Sequence, residues 1–194
     1  GEHTYTTQLT DPAGNPGPVS NPVDLTLDTV APGTNNGATE APVLTIAEAS
    51  DGFVNEQEAQ NGIQAVVTLP NGAAAGDTLA IFDENGEVVF TTVLEQNDID
   101  AGTINADIAT PAEGEHTYTT QLTDPAGNPG PVSNPVEVTL DTIAPGTSGG
   151  ITAAPVLAIA EASDGFVNEQ EAQNGIQAVV TLPAGAAAGD TLTI

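Results

Sequence analysis

No lysine and no arginine occurs in the 194 residues of this chain. Its 27 acidic side chains are therefore faced by only two histidines, and the formal net charge is −27. Any ion pair between side chains must run through His3 or His116. Without basic side chains the protein cannot neutralise phosphates, so nucleic acid and anionic membranes are excluded as partners. Cysteine is absent too, which excludes disulfides, reactive thiols and thiolate metal centres. Tryptophan is missing, and the aromatics amount to two tyrosines and four phenylalanines. Paired carboxylates of the kind a glycosidase needs would thus lack aromatic platforms for a sugar. Neither histidine has a Ser or Cys nucleophile motif near it, and no phosphate-cradling glycine loop is present, so the sequence reads as a non-enzyme with no small-molecule substrate. No apolar run approaches the roughly 20 residues of a membrane span. No signal-peptide pattern follows Gly1, and the sequence reads as an excerpt of a longer protein.

Against these absences stands a 39% hydrophobic content arranged in short alternating runs. Acidic, aromatic-poor chains often stay disordered, but this patterning predicts a folded protein. Folding must overcome mutual repulsion among uncompensated carboxylates. Screening salt, or bound cations that turn carboxylates into ligands, relieves it.

An internal repeat of 113 residues organises the chain: Gly1 matches Gly114, Ala41 matches Ala154 and Ile81 matches Ile194. Only ten of the 81 overlapping positions differ. Solenoid repeats usually run about 20 to 50 residues, so this period fits a whole globular module in tandem array. Within it, period-2 segments at 42–47, 63–69, 78–83, 87–94, 103–109, 116–122 and 135–141 read as strands A to G, separated by Gly, Pro and Asn turn signals. Seven short strands predict an all-β, Ig-like sandwich, with one short helix at 55–60.

The expected organisation is then strands F and G of a preceding module at 1–28, a linker at 29–41, a complete module at 42–141, a linker at 142–154, and strands A to C of a following module at 155–194. Both partial modules lack strands D and E. The expectation is that the segment comes from a longer rod, or that neighbouring molecules complete its ends.

In such a sandwich the loops sort onto two poles. The AB loop, Asp83 and Asn85, Glu113 and Asp141 belong to one. Asp77, Asp98, Asp100, Asp124 and Asn128 belong to the other, with Asp28 arriving in the linker. Two acidic poles meeting at a junction would repel unless a cation lay between them. Oxygen-only ligands on flexible loops favour Ca2+ over Mg2+ or softer metals. The candidate ligands are Asp28, Glu48, Asp51, Asn55, Glu58, Asp77, Asp124, Asn128 and Asp141, with Glu161, Asp164, Asn168 and Glu171 in the second copy. A purely structural reading competes at each loop. Asn55 and Glu58 have capping-box spacing, Ser50-Asp51-Gly52 reads as a turn, and Asp-Pro at 124–125 starts a type I turn.

The segments "DPAGNPGPVSNPVDLTLDTVAP" and "ASDGFVNEQEAQNGIQAVVTLPNGAAAGDTL" resemble the end and the beginning of bacterial Ig-like repeats. Such repeats form the extender region of giant RTX-type adhesins. The resemblance spans nearly the whole chain and implies type I secretion, an extracellular position at the bacterial cell surface, and calcium at module junctions that stiffens a rod carrying distal ligand-binding domains. Neighbouring repeats of the same chain and calcium ions are the implied partners. The "PGPVSNP" insert departs from the family pattern in the FG loop. A rival expectation is a calcium-dependent adhesive module that binds a glycan or itself. Exposed aromatics beside the acidic loops would mark it, and Phe53 and Phe166 are expected instead to pack beneath those loops.

Overall fold

Alternation of apolar and polar residues decides which face of each strand enters the core. In the computed structural model, which describes residues 1–47, 50–160, 165–173 and 175–194, this pattern is plainest at β9 (Ile63–Thr68). Ile63, Ala65 and Val67 are buried there while Gln64 and Thr68 are exposed. β12 (Thr103–Ile108) alternates the same way, burying Ile104, Ala106 and Ile108. β9 pairs antiparallel with β12 on one side and with β7 (Val43–Ile46) on the other. These three strands form one sheet of a sandwich.

The facing sheet has five strands in the order β11 (Val88–Val93), β10 (Thr78–Phe82), β13 (Gly114–Thr123), β14 (Val136–Leu140) and β8 (Phe53–Val54). Leu79, Ile81, Tyr118, Leu122, Val138 and Leu140 point from it into the shared core. The strand expected as D, β11, thus pairs with the one expected as C, β10. β8 was not expected: its two residues pair in parallel with Thr139 and Leu140, so that Val54 is buried and Phe53 faces outward. Period 2 requires that split.

Residues 55–60 do not form the predicted helix in the complete module; they form turns, although the same sequence in the second copy forms α2 (Glu169–Ala172). A four-residue turn of helix is marginal on its own, and in the complete module Ala59 is buried and its carbonyl accepts from the Thr110 hydroxyl. A helix does occur where none was expected, at α1 (Gln96–Ala101), ended by Gly102 at φ 71°.

The chain divides into two compact units, Gly1–Asp141 and Thr142–Ile194. Residues 1–28 carry β1 (Glu2–Tyr5), β2 (Gln8–Thr10), β3 (Pro16–Val19) and β4 (Val23–Thr26), paired β1 with β4 and β2 with β3. Here the repeat provides its own comparison. Leu9 is 85% exposed while its counterpart Leu122 is 1% exposed. Tyr5, Leu25 and Leu27 are likewise open where Tyr118, Val138 and Leu140 are core. In the second unit β17 (Val156–Ile159) pairs with β18 (Ala178–Thr181). Its Ile176, Leu192 and Ile194 are exposed, though Ile63, Leu79 and Ile81 are fully buried. Equivalent positions are buried where all the strands of the sandwich are present and exposed where they are not.

Both expected linkers are structured. Residues 29–41 contain a hairpin of β5 (Thr34–Asn35) and β6 (Ala38–Thr39), turned by Asn36 and Gly37 at φ 49° and 83°. Residues 142–154 contain another, β15 (Thr147–Ser148) with β16 (Ile151–Thr152). Two consecutive positive-φ residues are the signature of a type I′ hairpin turn, which Asn-Gly supplies well. Among the described residues, no helix is long and apolar enough to cross a membrane.

Candidate metal centre

The pole where the chain enters the complete module gathers four of the expected residues. Asp124 opens the loop after β13, and both its oxygens are engaged by Asn128: Oδ1 accepts the backbone N–H at 2.7 Å and Oδ2 accepts the side-chain amide at 2.7 Å. That clasp holds the Asp124 carboxyl below its ordinary value, the side-chain bond from Asn128 being the largest cause. The same Asn128 amide donates its other hydrogen to the carbonyl of Asp28 at 3.2 Å. A residue 100 positions earlier is thereby tied to the loop. Asp28 turns its own Oδ1 back to the N–H of Val30 at 3.1 Å.

Asp77, just before β10, completes the group. It is 3% exposed, and its Oδ2 accepts the N–H of Ala74 at 2.9 Å. Burial pushes its carboxyl above the ordinary value of 3.8, and the charges of Asp124 and Asp28 push in the same direction. A buried carboxylate beside two others, with no lysine or arginine in the sequence to pair with it, is costly when ionised. The other oxygens of Asp77 and Asp28 meet no donor among the described residues, and each carboxylate oxygen has room for more than one partner. The three carboxylates lie within electrostatic range without closing into a shell: among the described residues, no three His or acidic side chains stand close enough to hold an ion as placed.

The sign of the pH dependence follows from these shifts. Asp77 keeps its proton to higher pH when folded than when unfolded, so its contribution to stability falls as pH rises from about 3.8 through the raised value. Asp124, Asp11, Asp83 and Glu84 are shifted down, and they stabilise the fold above their ordinary values and lose that contribution on acidification.

At the opposite pole the structural roles left open by the sequence are visible. Asn55 Oδ1 accepts the N–H groups of Gln57 and Glu58, and Glu58 Oε2 accepts the N–H of Asn55. Asn168 and Glu171 repeat this box as the cap of α2. Asp51 Oδ1 accepts the N–H of Phe53 at 3.0 Å. Asp141 follows β14, and its N–H donates to Val54 O, which carries it to the level of Asn55. Glu48, Glu161 and Asp164 lie outside the described residues. Asp98 and Asp100 are taken up by α1, where Asp98 Oδ2 accepts the N–H of Glu95 and Asp100 Oδ1 accepts from Gln96. The one side-chain ion pair among the described residues runs through a histidine, from His116 Nδ1 to Glu84 Oε1 at 3.2 Å.

One expectation is overturned here. Phe53 is 54% exposed and does not pack beneath its acidic loop; Phe166 is 77% exposed, beside a loop that lies largely outside the described residues. The cause is the unexpected β8: once Val54 takes the core-facing position, Phe53 must face away.

No family model matches the chain, and no curated protein is similar to it. Solved structures do align with it. A BSP domain of a biofilm-associated protein is 21% identical over 74% of this chain and 20% of its own, with a TM-score of 0.37. A 1.5-MDa bacterial ice-binding adhesin, solved to explain its retention at the host cell surface, is 26% identical over 73% of this chain and 42% of its own, with a TM-score of 0.37. A putative membrane-anchored protein from Corynebacterium diphtheriae is 15% identical over 62% of this chain and 25% of its own, with a TM-score of 0.42. This chain spans less than half the length of each of them, and the superpositions are too partial to carry an argument about function.

Proposed function

We propose that this chain is an extender segment of a bacterial surface adhesin, a series of Ig-like sandwiches that bind Ca2+ at their junctions and perform no chemistry. The observation that carries the reading is Asp77, buried beside Asp124 and Asp28 in a chain without lysine or arginine. A divalent cation drawn between these carboxylates would convert a repulsive group into ligands. Asp28 and Asp141 follow equivalent strands, so in a longer array each junction would have its own copy. In a longer array, the open apolar faces of residues 1–28 and 155–194 would be covered by the missing strands of their own modules. Such a protein acts outside the cell, where calcium reaches millimolar levels, and near-identical repeats suit a length-setting role.

Asp77→Asn tests the reading. The amide oxygen can still accept the Ala74 N–H, so the local geometry is retained while the buried charge is removed. In EDTA the variant is expected to be more stable by about 1 kcal/mol, within the range for relief of unfavourable charge, and its stability should fall less steeply as pH rises above 3.8. In calcium the order reverses, because the variant gains much less from the ion. Equal calcium responses in calorimetric titration of the two proteins would rule out this site.

A second reading is favoured by the exposure of Phe53 and Phe166: a calcium-dependent adhesive module that binds a glycan, or another copy of itself, at the acidic loops. Binding of the wild-type chain to glycans or to itself, lost in Phe53→Ser with Phe166→Ser, would support it.

A further inference from the structure

Residues 29–41 carry the Gly, Thr and Asn content of a slack tether, yet Pro32 and Gly33 are buried. The N–H of Gly33 donates to the carbonyl of Gly72, in the turn after β9, at 3.2 Å. Gly33 itself accepts from the N–H of Glu40 at 3.0 Å, closing the base of the hairpin. The two backbones lie so close that no side chain fits between them. A Cβ on Gly72 would overlap the carbonyl of Thr34, coming within 2.8 Å of its carbon. A Cβ on Gly33 would overlap the Glu40 carbonyl and stand 3.1 Å from Pro70 Cγ. On the other side, a Cβ on Gly130 would lie 3.0 Å from the Pro32 carbonyl oxygen.

We propose that Gly33 and Gly72, with Gly146 and Gly185 in the second copy, form a metal-independent lock that fixes each incoming linker to the module that follows it. The second unit repeats the contacts: Gly146 N–H donates to Gly185 O at 3.3 Å, and a Cβ on Gly185 would overlap the Thr147 carbonyl. The linkers differ at 30, 35, 36, 38 and 40, yet all of Gly33, Thr34, Pro70 and Gly72 recur unchanged as Gly146, Thr147, Pro183 and Gly185. Sequence change within the hairpin therefore spares the residues of the lock. Each linker moves as part of its downstream module. In the first copy the lock, together with the Asn128 bond to Asp28, delivers Asp28 to Asp77 and Asp124 by protein contacts alone. It stands whether or not calcium binds there.

The test uses the 194-residue chain in EDTA, so that a failure of the calcium reading cannot disturb it. Hydrogen exchange of the Gly33 and Glu40 amides is compared with that of core amides in β9 and β10, and cleavage at Glu40 by a glutamate-specific endopeptidase is followed by mass. In the wild type both linker amides are expected to be protected. Gly72→Ala should accelerate their exchange by about tenfold or more through local opening and speed cleavage at Glu40, with β9 and β10 unchanged, because an isolated two-stranded hairpin does not persist alone. Gly86→Ala is the control: Gly86 has a similar φ of 77° but nothing within 4 Å of its Cβ position, and it should leave the linker protected. If Gly72→Ala fails to fold, Gly130→Ala, which presses on Pro32, is read in the same way. Linker amides that exchange as in a free peptide in the wild type, or that do not respond to Gly72→Ala, overturn the proposal. So does a response in which core and linker amides loosen together.

Discussion

Saturating calcium should raise the melting temperature of the complete module by about 10–20 °C over the same chain in EDTA. Binding to the folded state alone adds roughly 2.7 kcal/mol at a hundred times the dissociation constant. In a domain of this size each kcal/mol is worth about 4–8 °C. The expected gain is large because the folded module concentrates charge that the unfolded chain disperses. Asp77 is held in the interior beside two further carboxylates, and nothing cationic in the sequence offsets them. Sodium chloride should give a smaller rise that levels off once screening is complete. Magnesium should also give less, since it sheds water reluctantly and demands a near-octahedral shell that loosely arranged loops do not offer. An equal response to all three salts would mean that only screening is at work.

The second large effect separates packing from sequence. Leu122→Ala should destabilise the complete module by about 2–5 kcal/mol, the usual cost of emptying a buried leucine site. Leu9→Ala, the same substitution in the same sequence context, should change stability by no more than about 0.5 kcal/mol. Leu122 is 1% exposed between two sheets, whereas Leu9 is 85% exposed on a hairpin with no opposing sheet. Chemical denaturation of the two variants checks the contrast. A substantial loss from Leu9→Ala in dilute chain, growing with protein concentration, would instead show that another molecule covers the face of residues 1–28.

The strands were legible because alternation is a long-range signal within each run. Ile63, Ala65 and Val67 announce β9, and Ile104, Ala106 and Ile108 announce β12, from the sequence alone. β8 escaped because two residues carry no period, and its pairing with Thr139 and Leu140 is a tertiary event. Missing β8 also hid the outward turn of Phe53. α1 left weaker marks, an acidic residue at Asp98 and a positive-φ glycine at Gly102, in a segment that otherwise reads as a loop. The hairpin at 34–39 has its one signal in Asn36-Gly37, and its two-residue strands are too short to show alternation.

The entry pole was readable as a gathering of Asp28, Asp77, Asp124 and Asn128, since loop order in a sandwich places them together. What the sequence could not show is how differently they are held. Asp124 is satisfied by Asn128 and shifted down, while Asp77 is buried with a single donor and shifted up. That difference depends on burial and on which backbone and amide groups reach each carboxylate.

The central claim, that calcium stiffens a series of modules, is tested most directly by the width of a distance distribution. The chain has no cysteine, so spin labels at Glu2→Cys in β1 and Thr103→Cys in β12 of the complete module report, without background, on one distance across the junction at Asp28. Pulsed electron resonance in saturating calcium is predicted to give a single narrow distribution, which broadens in EDTA while the complete module stays folded. Distributions of equal width in calcium and in EDTA would contradict the account.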